Sequence, residues 1–250
     1  MKKTSNFKIS EASILPLQLD NVCFEISGNR LIKNISWCFE ANRSTAIIGP
    51  NGAGKSLLLR LCHGLINPTH GKIHWRSKSK VYQHQAMVFQ RPVMLRRSVA
   101  SNIDFALKLR QIPRTDRLKS IDRVLSSTGL KRLANHPARV LSAGEQQKLS
   151  LARAWALDPQ VLFLDEPTAS LDPSATHNIE NIIMEIHAQG TRIIMATHDL
   201  GQAKRLTDEV IFINRGRILE TGETKSFFKK PKNDLAKAFI RGELLWRNEE

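Results

Sequence analysis

Apolar positions along this chain follow two rhythms. Short, almost unbroken apolar runs occur at Ser44-Thr45-Ala46-Ile47-Ile48, Ala86–Phe89, Val161–Leu164, Arg192–Ala196 and Val210–Ile213. Runs this short, with no alternating polar face, predict strands buried on both sides of a parallel sheet. Helical spacing dominates elsewhere, at Ile103, Leu107 and Ile112, then at Leu118, Ile121, Val124 and Leu125, and across Ser174–Ala188. Apolar strands alternating with helices predict an α/β fold with a mainly parallel sheet. Leu17–Phe39 instead alternates in a strand-like way and breaks at Ser27-Gly28-Asn29, a hairpin signal for an antiparallel β subdomain. Asn67–Gly71 reads as a turn and Lys72–Trp75 as a further strand.

From about Met94 to Leu141 glycine is scarce and strand signals are weak, which predicts a helical subdomain, about 94–157, inserted in the α/β core. The expected organisation is a loose tail over 1–16, one domain over 17–245 and a short tail over 246–250. At 250 residues and 41% hydrophobic content the chain has material for one large core with a subdomain.

No apolar run approaches the length of a membrane span, and the lysines of MKKTSNFKIS precede no apolar stretch of a secretory signal. Cys23, Cys38 and Cys62 lack CxxC spacing, so they read as buried small side chains rather than a zinc site or disulfide framework. The net charge of +15 suits anionic partners, but it is dispersed along the chain, and no specific nucleic-acid binding is expected.

Residues 49–56 read GPNGAGKS, with Gly49, Gly54, Lys55 and Ser56 filling G-x-x-x-x-G-K-[ST]. A strand pattern precedes the loop and a helix opening, from Leu57, follows it. That context aims backbone N–H groups and a helix N-terminus at a triphosphate. The loop residues Gly49, Pro50, Asn51, Gly52, Ala53, Gly54, Lys55, Ser56 and Leu57 are the candidate nucleotide-binding set. Lys55 would neutralise β/γ-phosphate charge, and Ser56 would ligate Mg²⁺.

Further polar groups stand at strand ends, where parallel sheets bind ligands. Val161–Leu164 runs into Asp165-Glu166, the first placed for a metal and the second to polarise an attacking water. Arg192–Ala196 runs into Thr197-His198-Asp199, where His198 would meet a γ-phosphate. Gln90 ends another strand and would touch Mg²⁺ or the water. In Leu141-Ser142-Ala143-Gly144-Glu145-Gln146-Gln147, Ser142 reads as an N-cap and Glu145 as its capping-box partner. That helix start also has the makings of a second anion-facing surface.

The ordered set GPNGAGKS, Gln90, LSAGEQQ, VLFLDEP, Ala169-Ser170-Leu171-Asp172 and Thr197-His198-Asp199 resembles the ATP-binding subunits of ABC transporters. By that resemblance Ser56, Gln90 and Asp165 serve Mg²⁺, Glu166 is the catalytic base, and His198 senses the γ-phosphate. Ser142, Ala143, Gly144 and Glu145 form the signature that closes over a partner's ATP, and Asp172 lies in a loop coupling the two sites. The resemblance implies a homodimer, or a paired ATPase subunit, holding two ATP molecules between two-fold-related chains. The chain departs from the family at Ala143, where a glycine is usual, and near Ile26, where an aromatic residue usually stacks on adenine; Phe24 is two residues away.

The resemblance further implies separate membrane permease subunits, with RPVMLRRSVASNID (91–104) at the docking position, and a location on the cytoplasmic face of the membrane. VFQRPVMLRRSVASNIDFAL, ATHDLGQAKRLTDEVIFINRGRILETG and the terminal GELLW are similar to oxyanion importer ATPases, especially the tungstate type. Import with an extracytoplasmic solute-binding protein is expected, and a long C-terminal regulatory domain is not. The alternatives are a non-transport ATPase of the same superfamily acting on nucleic acid or ribosomes, and an unrelated P-loop kinase or GTPase. The first lacks its usual long coiled coil, and the second lacks N-K-x-D and leaves LSAGEQQ unexplained.

Overall fold

The structure, a computed structural model, describes residues 13–41, 43–77 and 80–243. Residues 1–12, most of the expected tail, and 244–250, with part of GELLW, lie outside them. In chain order the elements are β1 (Leu17–Ile26), β2 (Asn29–Phe39), β3 (Thr45–Ile48), α1 (Lys55–His63), β4 (His70–Trp75), β5 (Gln85–Val88), α2 (Val99–Leu109), α3 (Arg114–Ser127), α4 (Ala143–Trp155), β6 (Val161–Asp165), α5 (Pro173–Ala188), β7 (Arg192–Thr197), α6 (Leu200–Leu206), β8 (Glu209–Asn214), β9 (Arg217–Glu223), α7 (Thr224–Lys229) and α8 (Asp234–Ile240). The described residues divide into two compact units, one of those up to residue 77 together with 192–243 and one of residues 80–191.

In the first unit, β1 pairs antiparallel with both β2 and β4. The β1–β2 connection is the two-residue turn Ser27-Gly28 with φ of 49° and 80°, both positive, as tight hairpins require. β3 runs parallel to β7 on one side and β8 on the other, and β9 returns antiparallel beside β8. β3 is fully buried because both its faces are covered. Ala46, Ile48, Val210 and Phe212 join Ala203, Phe227 and Ala236 of α6, α7 and α8 in one core cluster. Ile14 and Leu15 are buried, so the loose tail expected over 1–16 does not extend to them.

The second unit pairs β5 with β6 in parallel, Gln85 opposite Val161 through Val88 opposite Leu164. β5 begins one residue before the expected strand and stops at Val88, which leaves Phe89 more than a third exposed. α2 and α3 bury Ile103, Leu107, Ile121, Val124 and Leu125 of the predicted stripes, but Leu118 is exposed and Ile112 lies half-buried beyond the end of α2. The unit is wider than the helical stretch expected over 94–157, because β5, β6 and α5 belong to it. Of the cysteines, Cys23 and Cys62 are buried but Cys38 is only half-buried. Burial, with a hydrogen bond to Glu40, pushes the Cys38 thiol up to about 11.

Candidate functional site

In the first unit β3 ends at Ile48 and the loop begins. A Cβ on Gly49, with φ at 153°, would lie 2.0 Å from the Ile213 carbonyl oxygen, so no side chain fits there. A Cβ on Gly52 would meet nothing within 4 Å, so that stretch of main chain faces open space. α1 starts at Lys55 with Gly54 as N-cap, no side-chain cap and no acidic residue in its first turn. Its positive end is therefore not neutralised by a built-in carboxylate. The Lys55 ammonium is buried and donates to the carbonyls of Gly49 at 2.9 Å and Pro50 at 3.1 Å. It sits over the loop it was expected to serve. These features fit a triphosphate: exposed glycine backbone, an uncapped helix start and one ammonium.

Gly216, in the β8–β9 turn, braces this loop. Its N–H donates to Ala53 O at 2.9 Å, and its own carbonyl accepts from Lys33 N at 2.8 Å. Sequence reasoning missed this brace, because Arg215-Gly216 looks like any hairpin turn. His198 follows β7 and is exposed, while Asp199 beside it caps α6 by accepting from Gln202 N at 3.0 Å.

In the second unit Asp165 is the last residue of β6 and is buried. Glu166 turns away with φ at 46°, and its Oε2 accepts from Gln90 Nε2 at 3.3 Å. Two of the predicted strand-end groups are thus brought together. Among the described residues no cluster of three His, Cys, Asp or Glu side chains is suited to a metal.

Ser142 caps α4, and the capping box is complete. Ser142 Oγ and N donate to Glu145 Oε2 at 2.7 and 2.9 Å, and Glu145 N donates back to Ser142 Oγ at 3.4 Å. Those hydrogen bonds from Ser142 hold the Glu145 carboxyl below its usual range. Gly144 lies against α5, where a Cβ would stand 3.2 Å from Ala175 Cβ. Asp172 is the N-cap of α5 and accepts from Ala175 N at 2.9 Å. Ala143, Gln147, Ser170 and Leu171 share a cavity of about 340 Å³ with Gln90 and Arg91. Gln147 is buried, its Nε2 has no partner within the chain, and its position among helix core residues gave no signal.

Segment 91–104 is held by side chains that the sequence did not flag. Asn102, fully buried, accepts from Leu95 N at 3.0 Å and donates to the carbonyls of Leu95, Arg97 and Ser98. Arg153 donates to Val93 O at 3.0 Å, and Arg97 lies over the Phe105 ring at 4.7 Å. Arg91 and Arg96 remain exposed. None of the described helices is long and apolar enough to cross a membrane.

Residues 32–169 match the family described as ABC transporter. The tungstate uptake system ATP-binding protein TupC of Peptoclostridium acidaminophilum is 36% identical over 217 residues, covering 86% of this chain and 100% of the relative. The phosphate import ATP-binding protein PstB 1 of Lactiplantibacillus plantarum is 38% identical over 221 residues, 82% of each chain. Among solved structures, cbiO1 of Clostridium perfringens, part of the ABC transporter complex cbiONQ, superposes with a TM-score of 0.78 at 30% identity over 86% of this chain and 90% of that one. The ATP-binding cassette MJ0796, in a structure described as dimeric and bound to ADP and phosphate, shares the fold with a TM-score of 0.74 at 23% identity, covering 83% and 98%. The matched span holds the phosphate loop, Gln90, the signature and Asp165-Glu166, so the chain belongs to the ABC transporter family, as an ATP-binding subunit that hydrolyses ATP with Mg²⁺.

Proposed function

We propose that this chain powers import of a small oxyanion, tungstate or phosphate, through separate membrane permease subunits on whose cytoplasmic face it docks. The observation that carries this reading is the identity of 36% to a tungstate uptake ATPase along that relative's whole length, beside 38% to a phosphate import ATPase over 82% of each chain. The chemistry is common to both cargoes, since the cargo-contacting surfaces belong to other subunits. A solute-binding protein outside the membrane would deliver the oxyanion. Segment 91–104, stiffened by Asn102 and presenting Arg91 and Arg96, is the proposed permease contact.

ATP supplies the phosphoanhydride to be broken, and Mg²⁺ the charge that neutralises it. Gly49–Leu57 hold the phosphates through backbone N–H groups, and Lys55 leaves its two carbonyls to meet them. Ser56, Gln90 and Asp165 are the proposed Mg²⁺ set. Glu166 accepts a proton from the attacking water while Gln90, already hydrogen-bonded to it, helps place that water. His198 senses the γ-phosphate. Ser142, Ala143 and Gly144 face the phosphates of a second copy, and Asp172 links the two halves.

The test is uptake of labelled tungstate and of labelled phosphate by cells with and without the chain. Loss of one uptake, restored by the chain but not by Lys55→Ala, identifies the cargo. Unchanged uptake of both oxyanions, or co-purification with nucleic acid or ribosomes instead of a multi-span permease, overturns the proposal.

A further inference from the structure

We propose that Glu145 is a positioning residue that holds the signature serine closed: its carboxylate takes both hydrogens Ser142 has to offer and must leave before Ser142 can donate to a phosphate. The inference rests on the reading of Ser142–Gly144 as the surface that meets a partner's nucleotide.

A serine hydroxyl carries one hydrogen, and its amide one more. Both point at the same oxygen, Glu145 Oε2, at 2.7 and 2.9 Å. The third donor of the group, Glu145 N, is turned back onto Ser142 Oγ. The terminal phosphate of ATP is acceptor-only and negatively charged. With Glu145 docked it would meet a serine whose two hydrogens are already spent and a second negative charge at the start of α4. The carboxylate already occupies the place at a helix N-terminus that favours an anion. α1 makes the contrast within the same chain: its phosphate-facing start has no side-chain cap and no acidic residue in the first turn. α4 is the opposite case, with an exposed serine closed by its own acid.

Phosphate and Glu145 therefore compete for the same two hydrogens. The sequence placed Glu145 among the nucleotide-contacting residues, whereas the geometry makes it the occupant that nucleotide displaces. A glutamine in its place keeps an oxygen that accepts from Ser142 N–H, which preserves much of the cap, and removes the charge.

The experiment measures the Mg-ATP concentration that half-saturates dimer formation, by light scattering, in the slowly hydrolysing Glu166→Gln background. Adding Glu145→Gln is expected to lower that concentration about 5-fold at low ionic strength. The gain should shrink toward 1 M salt, because it is electrostatic. It should be smaller when Ser142 is also alanine, since no hydroxyl is then withheld and only the loss of charge and the release of the Ser142 N–H remain. Glu145→Ala, which removes the charge and the side-chain half of the capping box together, should also lower the half-saturating concentration even though it melts earlier. An unmoved or higher concentration with Glu145→Gln, or a gain that ignores salt and Ser142, overturns the proposal and leaves Glu145 a helix cap. If Glu166→Gln alone never dimerises with Mg-ATP, the signature reading itself fails and this inference falls with it.

Discussion

Gln90 Nε2 reaches Glu166 Oε2 at 3.3 Å, which joins the residue two places beyond β5 to the residue just beyond β6. The parallel pairing of those strands sets this meeting, because Val88 lies opposite Leu164 and both chains leave the sheet at the same edge. Glu166 is held in a left-handed backbone conformation, uncommon for a residue other than glycine.

Glu166→Gln is expected to leave ATP affinity unchanged and to slow hydrolysis by at least about 100-fold, since general-base assistance contributes that much or more. The amide keeps the shape of the side chain and its contact to Gln90 but cannot take a proton from water. Single-turnover hydrolysis beside equilibrium ATP binding checks it, and a variant with ordinary turnover would move the base elsewhere.

Lys55→Ala removes the buried ammonium folded over the phosphate loop. Tight ATP binding should be lost, with calorimetric affinity falling by at least about 100-fold, as expected for a lost charge-assisted phosphate contact in a partly buried site. The loop carbonyls of Gly49 and Pro50 lose their donor as well, so a thermal melt must accompany the titration. Unchanged affinity would overturn the assignment of the phosphate loop.

Much of this was legible before the structure, for physical reasons that differ from residue to residue. The runs at Ala46–Ile48 and Val161–Leu164 announce buried strands because a strand covered on both faces has no polar side to interrupt it. Ser142 and Glu145 announce the start of α4 because the capping box is a local pattern, three residues apart. The Gly216 brace was not legible, because its partners Ala53 and Lys33 lie far off in sequence. Arg192 read as an ordinary strand start, yet its side chain is 1% exposed, and its partners stand 17 and 147 residues away. α7 and α8, at 6 and 7 residues, are too short for a periodic stripe to show.

Gly216→Ala should act at a distance on nucleotide binding. Its φ is 75°, and an added Cβ would stand 2.2 Å from Leu31 O, so the turn must shift and pull on Ala53 of the phosphate loop. Strain and overpacking together predict a loss of about 2–4 kcal/mol in stability, with ATP affinity weakened alongside. Gly52→Ala is the control: the new methyl meets no atom within 4 Å, so only the left-handed backbone penalty, about 1 kcal/mol, applies. Urea denaturation of the two variants ranks them, and equal losses would refute the brace.

The last prediction concerns the far end of β3 from the loop. Arg192 Nη2 donates to Glu209 Oε1 at 3.2 Å and to Thr45 Oγ1 at 2.6 Å, and Thr45 donates in turn to the same carboxylate oxygen at 2.6 Å. Burial pushes the Arg192 guanidinium down to about 10, with Glu209 pulling it back up. Its Nε and Nη1 have no hydrogen-bond partner, so the charge is only partly satisfied. Glu209→Gln therefore leaves a buried cation without its counter-charge and should lower stability by about 3 kcal/mol. Replacing these three side chains together, with Thr45→Val, Arg192→Met and Glu209→Leu, removes the buried charges and the hydroxyl at once, leaving only the exposed Arg43 without its Glu209 contact, and should lie within about 1–2 kcal/mol of the parent on either side. Such a contrast identifies the network as a fixed point for strand register rather than a net source of stability. Chemical denaturation of the single and triple variants decides it: a triple variant at least as unstable as Glu209→Gln would show instead that the ion pair itself holds β3, β7 and β8 together.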